Sequence, residues 1–171
     1  MKLETGIVLF IITLTILVTG SVVYVLTSRT KGVNTKKSSP ENTTSIQMQL
    51  QAYERLILLV DRIALPNLIS RLGRTPGSAK EMQVMLSQAI KEEFNYNITQ
   101  HIYVSADAWT AVKNLKEQNL LIINQFANVL PPNATGLDLN KLLLEYLMND
   151  KKGSLHEVVS EVLSYEAKKI L

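Results

Sequence analysis

The residues able to do chemistry are few. The chain of 171 residues holds two histidines, His101 and His156, and no cysteine. A thiolate nucleophile, a thiolate metal site and a disulfide scaffold are thereby excluded. His156 stands beside Glu157 with no second ligand one helical turn on, and His101 stands alone. A zinc site needs several ligands at recognisable spacing, so both read as ordinary surface or interface histidines. Arg71, Arg74 and Lys80 flank the loop Gly73-Arg74-Thr75-Pro76-Gly77 and the start of a following helix. Unpaired amides at a helix start favour an anion, so this trio is the candidate anion or lipid-headgroup site. The competing reading is a capped, solvated turn. It is no phosphate-binding P-loop, because no strand precedes it and the Gly-Lys-Ser/Thr ending is absent. Asp61 and Glu145 are the carboxylates in the most apolar stretches, but nothing in their spacing pairs them for acid–base work. No catalytic motif, metal site or cofactor site emerges, and the expectation is a protein that is not an enzyme.

These groups sit on a succession of helices over residues 45–171. Ile46, Leu50, Tyr53, Ile57, Val60 and Ala64 step by four and three residues, the a/d spacing of a helical seam. Met48, Ala52, Leu56, Leu59 and Ile63 form a second stripe beside it. A helix with so wide an apolar face packs on more than one side. The seam is the candidate interaction surface for a partner chain; the competing reading is a central helix of a monomeric bundle. Pro66 ends or kinks this helix near Ala64 and starts a short second piece. Ser78 with Glu81 makes a capping box before a helix that runs to about Phe94 and buries Met82, Leu86 and Ile90.

In the next stretch Tyr96, Ile98, Ile102 and Val104 fall on one parity, with Asn97, Thr99, His101 and Tyr103 on the other. That reads as a short strand over 98–104 or as an extended loop packed on helices. Ser105 or Asp107 caps a long helix to about Val129, stopped by Pro131-Pro132. A helix from about Asp138 to Asn149 follows, then a second capping box, Ser154 with Glu157, and a last helix to Leu171. The expected fold is mainly α: an N-terminal transmembrane helix plus a compact helical bundle, with one short β-strand left open.

The transmembrane helix is read from Gly6 to Leu26, 21 residues without a charge, 14 of them Leu, Ile, Val or Phe. At about 1.5 Å per residue that length matches a hydrocarbon core of about 30 Å. It exceeds the apolar core of a signal peptide, and no Ala-x-Ala cleavage site follows. Lys2 precedes the span, whereas Arg29, Lys31, Lys36 and Lys37 follow it. These four topology determinants put the C-terminal side in the cytoplasm. The expected organisation is a stub over 1–5, the span over 6–26, a basic flexible tether over 27–44 and a helical domain over 45–171. The domain carries 13 basic and 13 acidic residues, so the basic pI of about 9.1 belongs to the tether, beside lipid headgroups. A neutral domain with no basic helix face disfavours nucleic acid.

Three segments carry a resemblance: QAYERLILLVDRIALPNLISRL, QHIYVSADAW and LDLNKLLLEYLMNDKKGSLHEVVSEVL. With them the chain resembles an uncharacterised family of small single-span membrane proteins from Bacteroidetes-type bacteria. The resemblance implies a bacterial inner-membrane setting and no residue-level function. Two function classes follow. The first is a membrane-anchored interaction module facing the cytoplasm, its partners the lipid bilayer and either a second copy of itself or another membrane-associated protein. The second is an envelope-side small-ligand-binding domain on the same anchor, with a cavity lined by Trp109, Tyr103 and Phe94.

Overall fold

A computed structural model describes residues 40–74, 76–149 and 155–171, with the backbone alone at 40–42. The apolar segment 6–26, the basic positions Arg29, Lys31, Lys36 and Lys37, and Ser154 of the second expected capping box lie outside the described residues. The described residues form six α-helices: α1 Pro40–Ile63, α2 Leu65–Leu72, α3 Ala79–Tyr96, α4 Ala106–Val129, α5 Gly136–Asn149 and α6 Leu155–Ile170. Helix α1 opens at Pro40, so positions 40–44, expected within the tether, are helical. No helix among the described residues is long and apolar enough to cross a membrane.

The break between α1 and α2 follows from Pro66. Proline lacks an amide hydrogen, and Ala64 turns to an extended ψ of 125°. The last carbonyls of α1 therefore lose their helical donors, and side chains replace them. Asn67 Nδ2 donates to the Asp61 carbonyl at 3.0 Å, and Arg71 Nη2 approaches the Arg62 carbonyl at 3.5 Å. Asn119 Nδ2, buried on α4, donates to the Ile63 carbonyl at 2.8 Å. The sharp bend is thus held by donors from both sequence-near and distant positions.

The starts of α3 and α5 are built as a pair. Ser78 Oγ accepts from the Glu81 amide at 3.2 Å while the Glu81 carboxylate accepts from the Ser78 amide at 2.8 Å, the expected capping box. Thr135 and Asp138 repeat the arrangement at α5, with the Thr135 amide donating to Asp138 Oδ2 at 2.8 Å. Between the two caps the backbones pair, Ala79 N–H to Ala134 carbonyl at 2.9 Å and Gly136 N–H to Gly77 carbonyl at 2.8 Å. A Cβ at Gly136 would lie 3.0 Å from Met82 Cε and 3.1 Å from its Cβ, so glycine is what lets α5 start this close to α3. Both carboxyls are held below their ordinary values, each chiefly by the amide it caps. Their contribution is full above the ordinary carboxylate range and fades as pH falls through the lowered values. Ser78→Ala is expected to cost about 0.5–2 kcal/mol, read as a lower urea midpoint with an unchanged slope.

The core gathers side chains from every helix, with Leu56, Leu59, Ile63, Leu86, Ile90, Leu115, Ile123, Leu139 and Leu143 fully buried. Helix α3 packs on α4 and α5, α4 also on α5 and α6, and α2 on α3 and α5. Residues 41–171 form a compact unit of their own.

The choice left open over 98–104 is decided here. Residues 98–104 hold no strand; Ile98–Ile102 is a 3-10 turn, and no strand occurs among the described residues. The turn satisfies its backbone locally, Gln100 N–H to Asn97 carbonyl at 3.0 Å and Tyr103 N–H to Gln100 carbonyl at 3.1 Å. A lone strand would have left those groups seeking an edge.

Candidate functional site

The expected interaction seam is not one surface. Tyr53, Val60 and Ala64 are buried in the domain, Ile57 packs partly buried against the core, and only Ile46 and Leu50, near the start of α1, stay half-buried. The reason is the position of α1 between two helices of its own chain. On one side Leu59 shares a groove with Glu92, Glu93 and Tyr96 of α3; on the other Val60 shares one with His156, Ser160 and Tyr165 of α6. Both stripes therefore meet the same molecule, and the surface expected to receive a partner is largely occupied.

Nor do Arg71, Arg74 and Lys80 converge. Arg71 points back to the Arg62 carbonyl and lies 4.0 Å from the Glu93 carboxylate, which also binds Arg62. Lys80 Nζ donates to Gln83 Oε1 at 2.8 Å, in a chain that continues from Gln83 Nε2 to Asn124 Oδ1 at 2.7 Å. At the helix start, the Ala79 and Glu81 amides go to Ala134 and to Ser78. Arg71 and Lys80 are turned to other acceptors, Arg74 borders a different groove beside α5, and these amides are already bonded. The geometry favours the capped turn over the anion site.

Asp61 and Glu145 remain separate: Asp61 accepts from Asn67 Nδ2 at 2.8 Å, and Lys141 lies 3.9 Å from Glu145. His101 rests its ring 5.5 Å from Trp109, with Nδ1 against the Ile98 carbonyl. Among the described residues, no cluster of three or more His, Asp or Glu could hold a metal ion. Of the expected ligand-cavity residues, Phe94 and Trp109 stack on each other at 5.1 Å and Lys116 Nζ sits 4.4 Å over Phe94, while Tyr103 is exposed.

A polar cluster that sequence reading missed ties three elements together. Tyr53 of α1 donates its hydroxyl to Glu166 Oε2 of α6 at 2.7 Å; Ser105, the N-cap of α4, donates its hydroxyl to the same oxygen at 2.5 Å. The Ser105 amide donates to the Tyr53 hydroxyl at 3.1 Å. Residues so far apart in the chain share no spacing that could have signalled this. The cluster does structural work: Ser105 Oγ also accepts the Ala108 amide at 3.0 Å, the N-cap bond of α4. Burial first, then the Glu166 bond, push the Tyr53 phenol above its ordinary 10.0. A raised phenol contributes stability that is full below that value and lost as pH climbs through the folded one. Tyr53→Phe is expected to lower the urea midpoint at neutral pH yet to decline less steeply above pH 10; equal slopes in the two proteins would contradict this.

What the domain leaves open is apolar surface. On α5, Leu137, Leu144 and Met148 are exposed, the first and last at 68% and 86%. Their spacing of seven and four places them on one helix face. They line a groove of about 550 Å³ with Ile69, Gly73 and Asn140, and Arg74, Lys141 and Glu145 stand along it. A second apolar set, Tyr96, Ile98, Ile102 and Tyr103, stands out around the 3-10 turn.

The chain matches a family of unknown function, DUF7935, over residues 4–170, and it belongs to that family. The match spans nearly the whole chain, as the resemblance did. No curated protein and no solved structure matches it.

Proposed function

As a member of that family the chain is, we propose, a membrane-anchored interaction module without chemistry of its own. In this reading residues 6–26 form a single span in a bacterial inner membrane, the N-terminus lies outside and the helical domain faces the cytoplasm. The apolar 6–26 segment and the basic flank at Arg29, Lys31, Lys36 and Lys37 support the placement. The role is carried by the Leu137–Leu144–Met148 stripe, exposed beside an open groove with mixed charge along it. A continuous apolar stripe with charged borders is the surface an amphipathic helix docks on. The partner is a helix of another membrane-associated protein or of a second copy.

A photo-crosslinking residue placed at Leu144 of the full chain, in cells, tests this. It should give one discrete adduct that Met148→Asp abolishes, while the same probe at exposed Lys113 on α4 gives none. No adduct at 144, or equal adducts at both positions, would sink the proposal. An adduct of twice the chain's mass would identify the partner as a second copy.

A further inference from the structure

We propose that the tip formed by Tyr96, Ile98, Ile102 and Tyr103 inserts into the interfacial layer of the bilayer that holds the chain's own anchor. The inference rests on reading 6–26 as that anchor, and adds a second contact between domain and membrane.

Its first support is composition. From Asn95 to Ala106 the chain carries no Lys, Arg, Asp or Glu. Within that run Tyr96 is 77% exposed and Ile102 66%, with Ile98 and Tyr103 both above 40%. Large apolar and tyrosine side chains presented on a run without a charge, with Glu92 and Glu93 only along the groove on the Tyr96 side, suit the headgroup boundary, where tyrosine keeps its hydroxyl wet and its ring dry.

The second support is rigidity. Asn97 Nδ2 donates to the Glu93 carbonyl at 2.9 Å, the Asn97 amide reaches the Phe94 carbonyl at 3.1 Å, and the His101 ring lies over Trp109. The apolar groups are thus held out on a braced turn whose backbone bonds are made internally, as a lipid environment requires. Little ordering is left to do on insertion.

The third support is place. Tyr53 meets Ser105 at the start of α4, and Ile63 meets Asn119 a little past its middle. Helix α1 therefore runs alongside α4 in the same direction, and its residues before Tyr53 lie toward the end that carries the tip. From Tyr53 back to Pro40 is about 20 Å of helix. The end bearing the tip is therefore the one at which the chain enters the domain, through residues 40–52 of α1. Lys168 and Lys169, in the last turn of α6, belong to the same end through Glu166, with Lys169 Nζ 4.2 Å over the Tyr165 ring and Asp107 as an opposing charge at the start of α4.

With no native cysteine, the test can use the full chain. Ile102→Cys and, as the control, Asn128→Cys in the exposed last turn of α4, the end of that helix away from the tip, are labelled with an environment-sensitive NBD dye. Each is reconstituted in phosphatidylcholine vesicles with a minority of phosphatidylglycerol. Expected are carbonate-resistant sedimentation with the vesicles, a blue-shifted signal at position 102 and its quenching by lipids carrying a shallow nitroxide, with neither effect at 128. Tyr96→Cys should repeat the result for 102. If the chain stays with the vesicles but 102 is no more quenched than 128, the tip contact falls and the anchor stands. A dry signal at 102 that strengthens with protein density and escapes nitroxide would assign the tip to a second copy and overturn the proposal. A chain extracted by carbonate would overturn the anchor and the tip contact together.

Discussion

Leu56→Ala is expected to destabilise the domain by about 2–5 kcal/mol, the range for opening a cavity at a buried leucine. Leu56 is fully buried, on the inner of the two stripes of α1. The same truncation two residues on, at Leu58, should stay within about 0.5 kcal/mol, because that side chain is 56% exposed. The contrast separates two uses of α1. If the Leu56 stripe instead served a partner chain, the Leu56 truncation would act on association and leave the fold's own stability nearly intact. Trp109 is the chain's only tryptophan and is stacked on Phe94 in the core, so its fluorescence during urea unfolding in mild detergent reports the domain alone.

Asn119→Leu is the second large effect. The bend at Pro66 leaves the Ile63 carbonyl buried with the Asn119 amide group as its donor. Leucine is close in size but donates nothing, and a buried carbonyl left unpaired costs about 1–3 kcal/mol. Asn67→Ala removes a donor from the same bend, but its acceptor at Asp61 is open to water. Water replaces that bond, and the change should stay within about 0.5 kcal/mol. A mild Asn119→Leu with a severe Asn67→Ala would mean that the bend is held from the surface.

Helix-level features were legible where the signal is local. The capping box at Ser78 and Glu81, the restart at Pro66 and the buried face of α3 follow from spacing and from which backbone groups need partners. The Thr135–Asp138 cap escaped because aspartate stands where the usual box has glutamate, and because α5 begins at Gly136, a residue that usually ends helices. Alternation over 96–104 suggested a strand, yet so short a pattern does not distinguish a period of two from a tight turn stabilised by Asn97 at the end of α3.

Periodicity along Ile46–Ala64 correctly marks apolar stripes but carries no information about what covers them. Helices α3 and α6, far along the chain, supply the cover. The Arg71, Arg74 and Lys80 trio failed in the same way: nearness in sequence brought the cations to one loop, and Glu93 and Gln83 drew two of them elsewhere. The candidate surface at Leu137, Leu144 and Met148 was visible only as leucine beyond what one core-facing stripe needs, and its exposure required the fold.

The placement of the domain is the most direct test of the membrane-anchored account. Lys141 is well exposed on α5, and a Lys141→Cys full chain can be challenged in cells with a membrane-impermeant maleimide after the outer membrane alone is opened. The account predicts no labelling until the inner membrane is also opened. Labelling before that step would contradict it, place the domain on the envelope side, and turn attention to a small-ligand role there.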